Sequence, residues 1–330
     1  GPFAEEKSIL GAWACAGRAD EAVSIAEGVE KLLCRKPAVV KGCGRGLFDS
    51  DDSGFGDAVK AAAGADVIIA CIGEYAHFSG ESASRADICV PGVQIKLLKR
   101  LKELNKPIVS VVFGGRPLVL TDVEKLSDAV LYVWQPGSEG GSAIANLIYG
   151  RANPSGKLVA SFPRSVGQCP VYYNHFRTGR PKGQDTLEGT VYTSGYIDEL
   201  NAPLYPFGYG LSYSRFKYSG FGLSSGVMRR GDKITARVTV ENKSGTDGEE
   251  VIQLYICDKF ASAVRPVKEL KAFKKIYIPA GGKVLAEFEI TEDTLAFYTA
   301  NGSYEAESGD FDIMAGGDSV NVLTERLKLI

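Results

Sequence analysis

The densest chemistry in this chain lies in the run GEYAHFSGESASRADICVP, which carries Glu74, Tyr75, His77, Phe78, Glu81, Arg85 and Asp87. Carboxyl groups move protons, imidazole and guanidinium groups bind oxygen-rich ligands, and aromatic faces stack on sugar rings. The run follows the apolar stretch DVIIACIG, and ligands of open parallel sheets collect beyond the carboxyl ends of strands. Its composition fits a sugar site and a solvated surface loop equally well. Glu74, directly after the strand, fits a carboxylate that fixes the loop by accepting from backbone N–H groups. Other constellations carry less. Gly42, Gly44 and Gly46 lack the third glycine of a dinucleotide fingerprint, because Leu47 occupies its place. Gly80-Glu81-Ser82-Ala83-Ser84 lacks the closing glycine of a hydrolase nucleophile elbow, and only His77 and His175 could serve as its base. Two distant histidines and no CxxC pair give no metal-ligand spacing, so neither metal nor cofactor is expected.

A loop of this kind needs a rigid sheet beneath it. From about Lys36 to Trp134, short apolar runs (PAVVKG, DVIIACIG, PIVSVVFGG, AVLYVW) alternate with segments of helical period, the pattern of parallel strands buried on both faces. After Pro91, the residues Val93, Leu97, Leu98, Leu101 and Leu104 recur at helical spacing; Asp20–Leu33, Gly56–Ala63 and Glu139–Gly150 also read as helices. Beyond about Gly220 the period becomes two, as in Ile234, Ala236, Val238 and Val240, which describes an antiparallel fibronectin-like or immunoglobulin-like sandwich. The expected organisation is an α/β sandwich over residues 1–160, an aromatic, Pro/Gly-rich strap over 161–219 and an all-β domain over 220–330.

Length and charge bound the rest. At 330 residues the chain is long enough for two domains. With 38 Lys+Arg against 40 Asp+Glu, nothing steers it to nucleic acid or an anionic membrane. No apolar run approaches the roughly 20 residues of a membrane span. Seven scattered cysteines, several within apolar runs, lean toward a reducing compartment such as the cytoplasm, with periplasmic or secreted locations open. The opening GPFAEEKSIL has no signal pattern and reads as the interior of a longer chain.

The strings GESASRADICVPGVQIKLL, FGGRPL, WQPGSEGGSAIANLIYGRANPSGKLVASFPRSVGQCPVYYNH, YPFGYGLSY and RPVKELKAFKKI resemble, in order and spacing, the C-terminal portion of glycoside hydrolase family 3 enzymes of the bacterial β-glucosidase type. The resemblance implies an N-terminal (β/α)8 barrel, absent from these residues, then an α/β sandwich and a fibronectin type III-like domain. It implies retaining hydrolysis by two carboxyl groups about 5–5.5 Å apart. The nucleophilic aspartate would lie in the barrel, and the acid/base would be the glutamate of a [HG]E-x-x-SR loop, here Glu81 followed by Ser84 and Arg85. Glu81 is expected to be exposed. FGGRPL departs slightly from the family's common NGRP in having no asparagine.

Tyr75, His77 and Phe78 are candidates for the leaving-group side of the substrate, and Arg85 for sugar hydroxyls or for bracing the loop through Asp87. Arg116 and Glu139 read as interface or helix N-terminal residues. The implied partners are a β-linked oligosaccharide or an aryl or alkyl glucoside, the barrel, and a second copy in a homo-oligomer. The 330 residues by themselves are expected to be inactive. A β-xylosidase specificity, or a non-catalytic glycan-binding or assembly module on the same fold, are the alternatives.

Overall fold

Three of the apolar runs become parallel strands, β1 (Ile68–Gly73), β2 (Ile108–Phe113) and β3 (Ala129–Trp134), ordered β1-β2-β3. In β1 and β2 five of six residues are buried, as expected of strands covered on both faces. Helices α1 (Ile25–Leu33), α2 (Phe55–Ala63), α3 (Gly92–Lys102), α4 (Thr121–Leu126) and α5 (Gly140–Ile148) supply the cover. The apolar face read after Pro91 buries Val93, Leu97, Leu98 and Leu101. This computed structural model describes residues 1–188 and 192–330, and they divide into two units: 1–152 with 162–169, and 153–161 with 170–330.

Two elements of the first unit differ from the sequence reading. The helix expected from Asp20 begins only at Ile25, after a separate turn at Ala19–Glu21. Ser24 and Glu27 form a reciprocal cap: Glu27 N–H donates to Ser24 Oγ at 3.3 Å, and Ser24 N–H to Glu27 Oε2 at 2.8 Å. PAVVKG forms no strand. The Val40 carbonyl instead accepts from the Gly1 amino group at 2.9 Å. Phe162 is fully buried, with Tyr132 and Trp134 edge-on at 4.8 and 5.8 Å.

The second unit is the antiparallel region. Its strands are β4 (Phe216–Leu223), β5 (Val227–Met228), β6 (Ile234–Asn242), β7 (Gly248–Asp258), β8 (Glu269–Ile278), β9 (Lys283–Ile290), β10 (Phe297–Tyr298), β11 (Tyr304–Glu305), β12 (Gly309–Gly316) and β13 (Val322–Leu329). One sheet runs β5-β13-β12-β7-β8 and another β4-β6-β9. The alternating residues Ile234, Ala236, Val238 and Val240 share one buried cluster with Ile252, Leu254, Phe288, Phe311 and Ile313. Within the aromatic segment, Tyr173 stacks on Phe207 at 4.3 Å and meets Tyr255 edge-on at 5.8 Å, while Tyr172 and Phe176 stay exposed. No helix among the described residues is long and apolar enough to cross a membrane.

Candidate active site

The loop that follows β1 starts from a fixed point. The buried side chain of Gln94 on α3 accepts from the Gly73 N–H at 2.7 Å and donates to the Gly73 carbonyl at 3.1 Å. The next residue's N–H, that of Glu74, donates to the Phe113 carbonyl at 2.8 Å. The Glu74 side chain is only 1% exposed, and two guanidiniums serve it. Arg85 Nη1 donates to Oε1, and Arg116 Nε stands 3.3 Å from the same oxygen. Burying this charge is tolerable because two opposite charges compensate it.

Both arginines also reach back to the loop. The Nη2 of Arg116 donates to the Phe78 carbonyl and, at 2.8 Å, to that of Ala83. Arg85 Nη2 donates to the Cys89 carbonyl at 3.0 Å. Between the two carbonyls held by Arg116 the chain turns, with Ala83 N–H donating to Gly80 O at 3.3 Å and Ser82 at φ 58. Glu81 is exposed at the tip of that turn.

The loop after β2 packs against this one. A Cβ on Gly115 would stand 1.9 Å from Ser79 Oγ, so glycine is required there for the two loops to meet. Gln135 Nε2 donates to Ser79 Oγ at 3.1 Å and to Ala76 O at 3.4 Å. Tyr132, below them, donates its hydroxyl to Arg116 O. Burial, and then the Glu74 charge, push the Tyr132 phenol far above its ordinary range.

The other loop residues take distinct places. Tyr75 packs on the core cluster; Arg45 lies over its ring at 4.6 Å and His77 meets it edge-on at 4.3 Å. His77 is exposed and Phe78 half-buried, with their rings 5.1 Å apart. Arg85 braces the loop through Glu74 rather than through Asp87. Asp87 Oδ1 accepts from Cys89 N–H at 2.9 Å, which holds its carboxyl below the usual range. Burial and then Asp87 push the Cys89 thiol up to about 12. Arg116 grips the loop, and Glu139 stands at the N-cap position of α5, where its carboxylate accepts from Ser142 Oγ at 2.9 Å and from no helix N–H.

One residue escaped the sequence reading. Trp13 is 65% exposed beside the Glu81 turn, where a Cβ on Gly80 would lie 3.2 Å from its Nε1. Its setting in the small-residue stretch GAWACAG was the available signal, because a lone tryptophan there has few neighbours to bury it.

A parallel α/β unit thus carries a clamped acidic loop at the carboxyl end of its sheet, on one chain with a β-rich unit. The sequence profile of the glycosyl hydrolase family 3 C-terminal domain matches residues 1–213, and that of the fibronectin type III-like domain residues 250–319. The chain belongs to glycosyl hydrolase family 3. It is 41% identical to the periplasmic beta-glucosidase of Salmonella typhimurium, over 100% of this chain and 46% of that protein. With a beta-xylosidase of Formosa agariphila the identity is 34%, over 90% of this chain and 40% of the relative. The crystal structure of a beta-glucosidase from Listeria innocua in complex with gluconolactone superposes with a TM-score of 0.93 at 36% identity, covering 99% of this chain and 45% of that one. The chain thus spans about half the length of the relatives it matches.

Proposed function

We propose that this chain supplies the general acid/base, Glu81, of a retaining β-glucosidase whose nucleophilic carboxylate lies outside these 330 residues. In the first step that carboxylate attacks the anomeric carbon, the glycosidic C–O bond breaks, and the Glu81 carboxylic acid gives its proton to the departing oxygen. In the second step Glu81, now a carboxylate, takes a proton from water as the water oxygen displaces the enzyme carboxylate, and β-glucose leaves. The observation that carries this reading is an exposed carboxyl at the tip of a turn held on both sides by one guanidinium. Trp13 and the exposed His77 offer ring surface and donors on the leaving-group side, with Phe78 at their border. Tyr75 and Arg85, already engaged, support the loop.

The beta-xylosidase names among the relatives favour a β-xyloside as the second substrate reading. The test is Glu81→Ala in the full-length protein. Hydrolysis of an unactivated disaccharide should fall by about 10²–10⁴-fold, while cleavage of the glycosidic bond of 2,4-dinitrophenyl β-glucoside, which needs no proton, falls far less. Full activity on the disaccharide overturns the assignment.

A further inference from the structure

We propose that Glu74 and Arg116 are positioning residues for the reaction, one buried clamp that sets where the Glu81 carboxyl stands; the inference rests on the acid/base reading above. The segment from Ser79 to Ala83 lies in no helix or strand, so its position depends on a few side-chain contacts. Arg116 makes the two that bracket Glu81. Its Nη2 carries two protons and meets two carbonyls, those of Phe78 and Ala83, one before the turn and one after it. Its Nε lies 3.3 Å from Glu74 Oε1, an ion pair without a hydrogen bond, so one planar group joins the turn electrostatically to a carboxylate anchored at the end of β1.

Glu74 holds the second arm as well. Through Arg85 it reaches the Cys89 carbonyl, where the loop returns toward α3. One carboxylate therefore fixes both ends of the segment that carries the proton donor. Glu74 Oε2 is buried and has no hydrogen-bond partner among the described residues, so only one of its oxygens binds the arginines, and exchanging that carboxylate for an amide leaves two guanidiniums without a counter-charge. Lysine cannot replace Arg116: a single ammonium lacks the fork that meets two carbonyls and a carboxylate together.

The experiment uses the full-length enzyme with Arg116→Lys, Glu74→Gln and the reference variant Glu81→Ala. Each is assayed as kcat/KM over a series of aryl β-glucosides of decreasing leaving-group acidity, with circular dichroism to verify folding. A displaced acid weakens protonation selectively. Arg116→Lys should therefore lose about 10–10²-fold on the poorest leaving groups and only a few-fold on the dinitrophenyl glucoside. Its slope against leaving-group pKa should steepen in the direction of Glu81→Ala. An equal loss across the series, or none, would overturn the inference. Should Glu74→Gln fold poorly, Arg116→Lys, which keeps the charge, decides the matter. If Glu81→Ala itself leaves the slope unchanged, the acid/base reading fails and carries this one with it; if only the clamp variants do, this inference fails alone.

Discussion

Replacing Gly115 by alanine should disrupt the packing that seats the Glu81 loop, at a cost the geometry lets one work out. The new Cβ would stand 1.9 Å from Ser79 Oγ, 2.6 Å from Ser79 Cβ and 3.1 Å from Gln135 Nε2. Ordinary contacts are about 3.5–4 Å, so Ser79 must retreat by roughly 1.5 Å or the β2 loop must rise. Overpacking of this size costs about 1–3 kcal/mol. Urea unfolding followed by tryptophan emission reads this directly, because both tryptophans of the chain, Trp13 and Trp134, lie in the first unit. The midpoint should drop by roughly 0.5–1.5 M at an unchanged slope. Second variants locate the cause. Ser79→Ala removes Oγ but leaves its Cβ in the way, so it should recover part of the loss, whereas Ser79→Gly removes both atoms and should recover most of it. A double-mutant cycle should give a coupling of at least about 1 kcal/mol between positions 79 and 115. A Gly115→Ala protein as stable as the parent, or a cycle with no coupling, would refute the account of how the two loops meet.

Ser24→Ala removes the cap of α1 and should lower the stability of the first unit by about 1 kcal/mol in the same urea assay. Phe162→Ala empties a site between Tyr132 and Trp134 and should cost about 3–5 kcal/mol, with a shift in tryptophan emission. Burial, outweighing Arg265 and Arg177, pushes Asp258 in the second unit up to about 6 from an ordinary 3.8. A raised carboxyl contributes stability that is fully present below its ordinary pKa and is lost as pH rises through the raised one. Asp258→Asn should therefore raise the calorimetric midpoint of the second unit above pH 6, and much less near pH 4; a variant curve parallel to the parent's would contradict this.

The sequence exposed the features that depend on periodicity. The runs ending at Gly73 and Phe113 read as buried strands because apolar residues filled both faces, whereas AVLYVW reads the same way and its strand β3 is only half-buried. Period-two alternation marked β6 and β9, which keep one face wet, and also β7 and β12, whose second face is buried too, with Tyr255, Cys257 and Met314 in a cluster of their own. PAVVKG carries the same composition as those strands but forms no ladder, since pairing is decided by a neighbour and not by the run itself. The loop holding Glu81 was legible as a place, since it follows a strand and concentrates titratable groups. Its wiring was not. Arg85 sits two residues from Asp87 and reads as its partner, yet the buried Glu74 draws it away, because an unpaired carboxylate in the core costs far more than one in water. Arg116 and Trp13 reach this loop from remote parts of the sequence, through the parallel pairing of β1 with β2 and the approach of the 11–17 loop. No local pattern encodes such approaches.

Azide tests the central claim most directly. In full-length Glu81→Ala acting on 2,4-dinitrophenyl β-glucoside, the glucosyl-enzyme waits for a base that is no longer there, and azide needs none. Adding it should accelerate turnover and give β-glucosyl azide as the product. Azide without effect would remove Glu81 from the acid/base role, and α-glucosyl azide would make it the nucleophile instead.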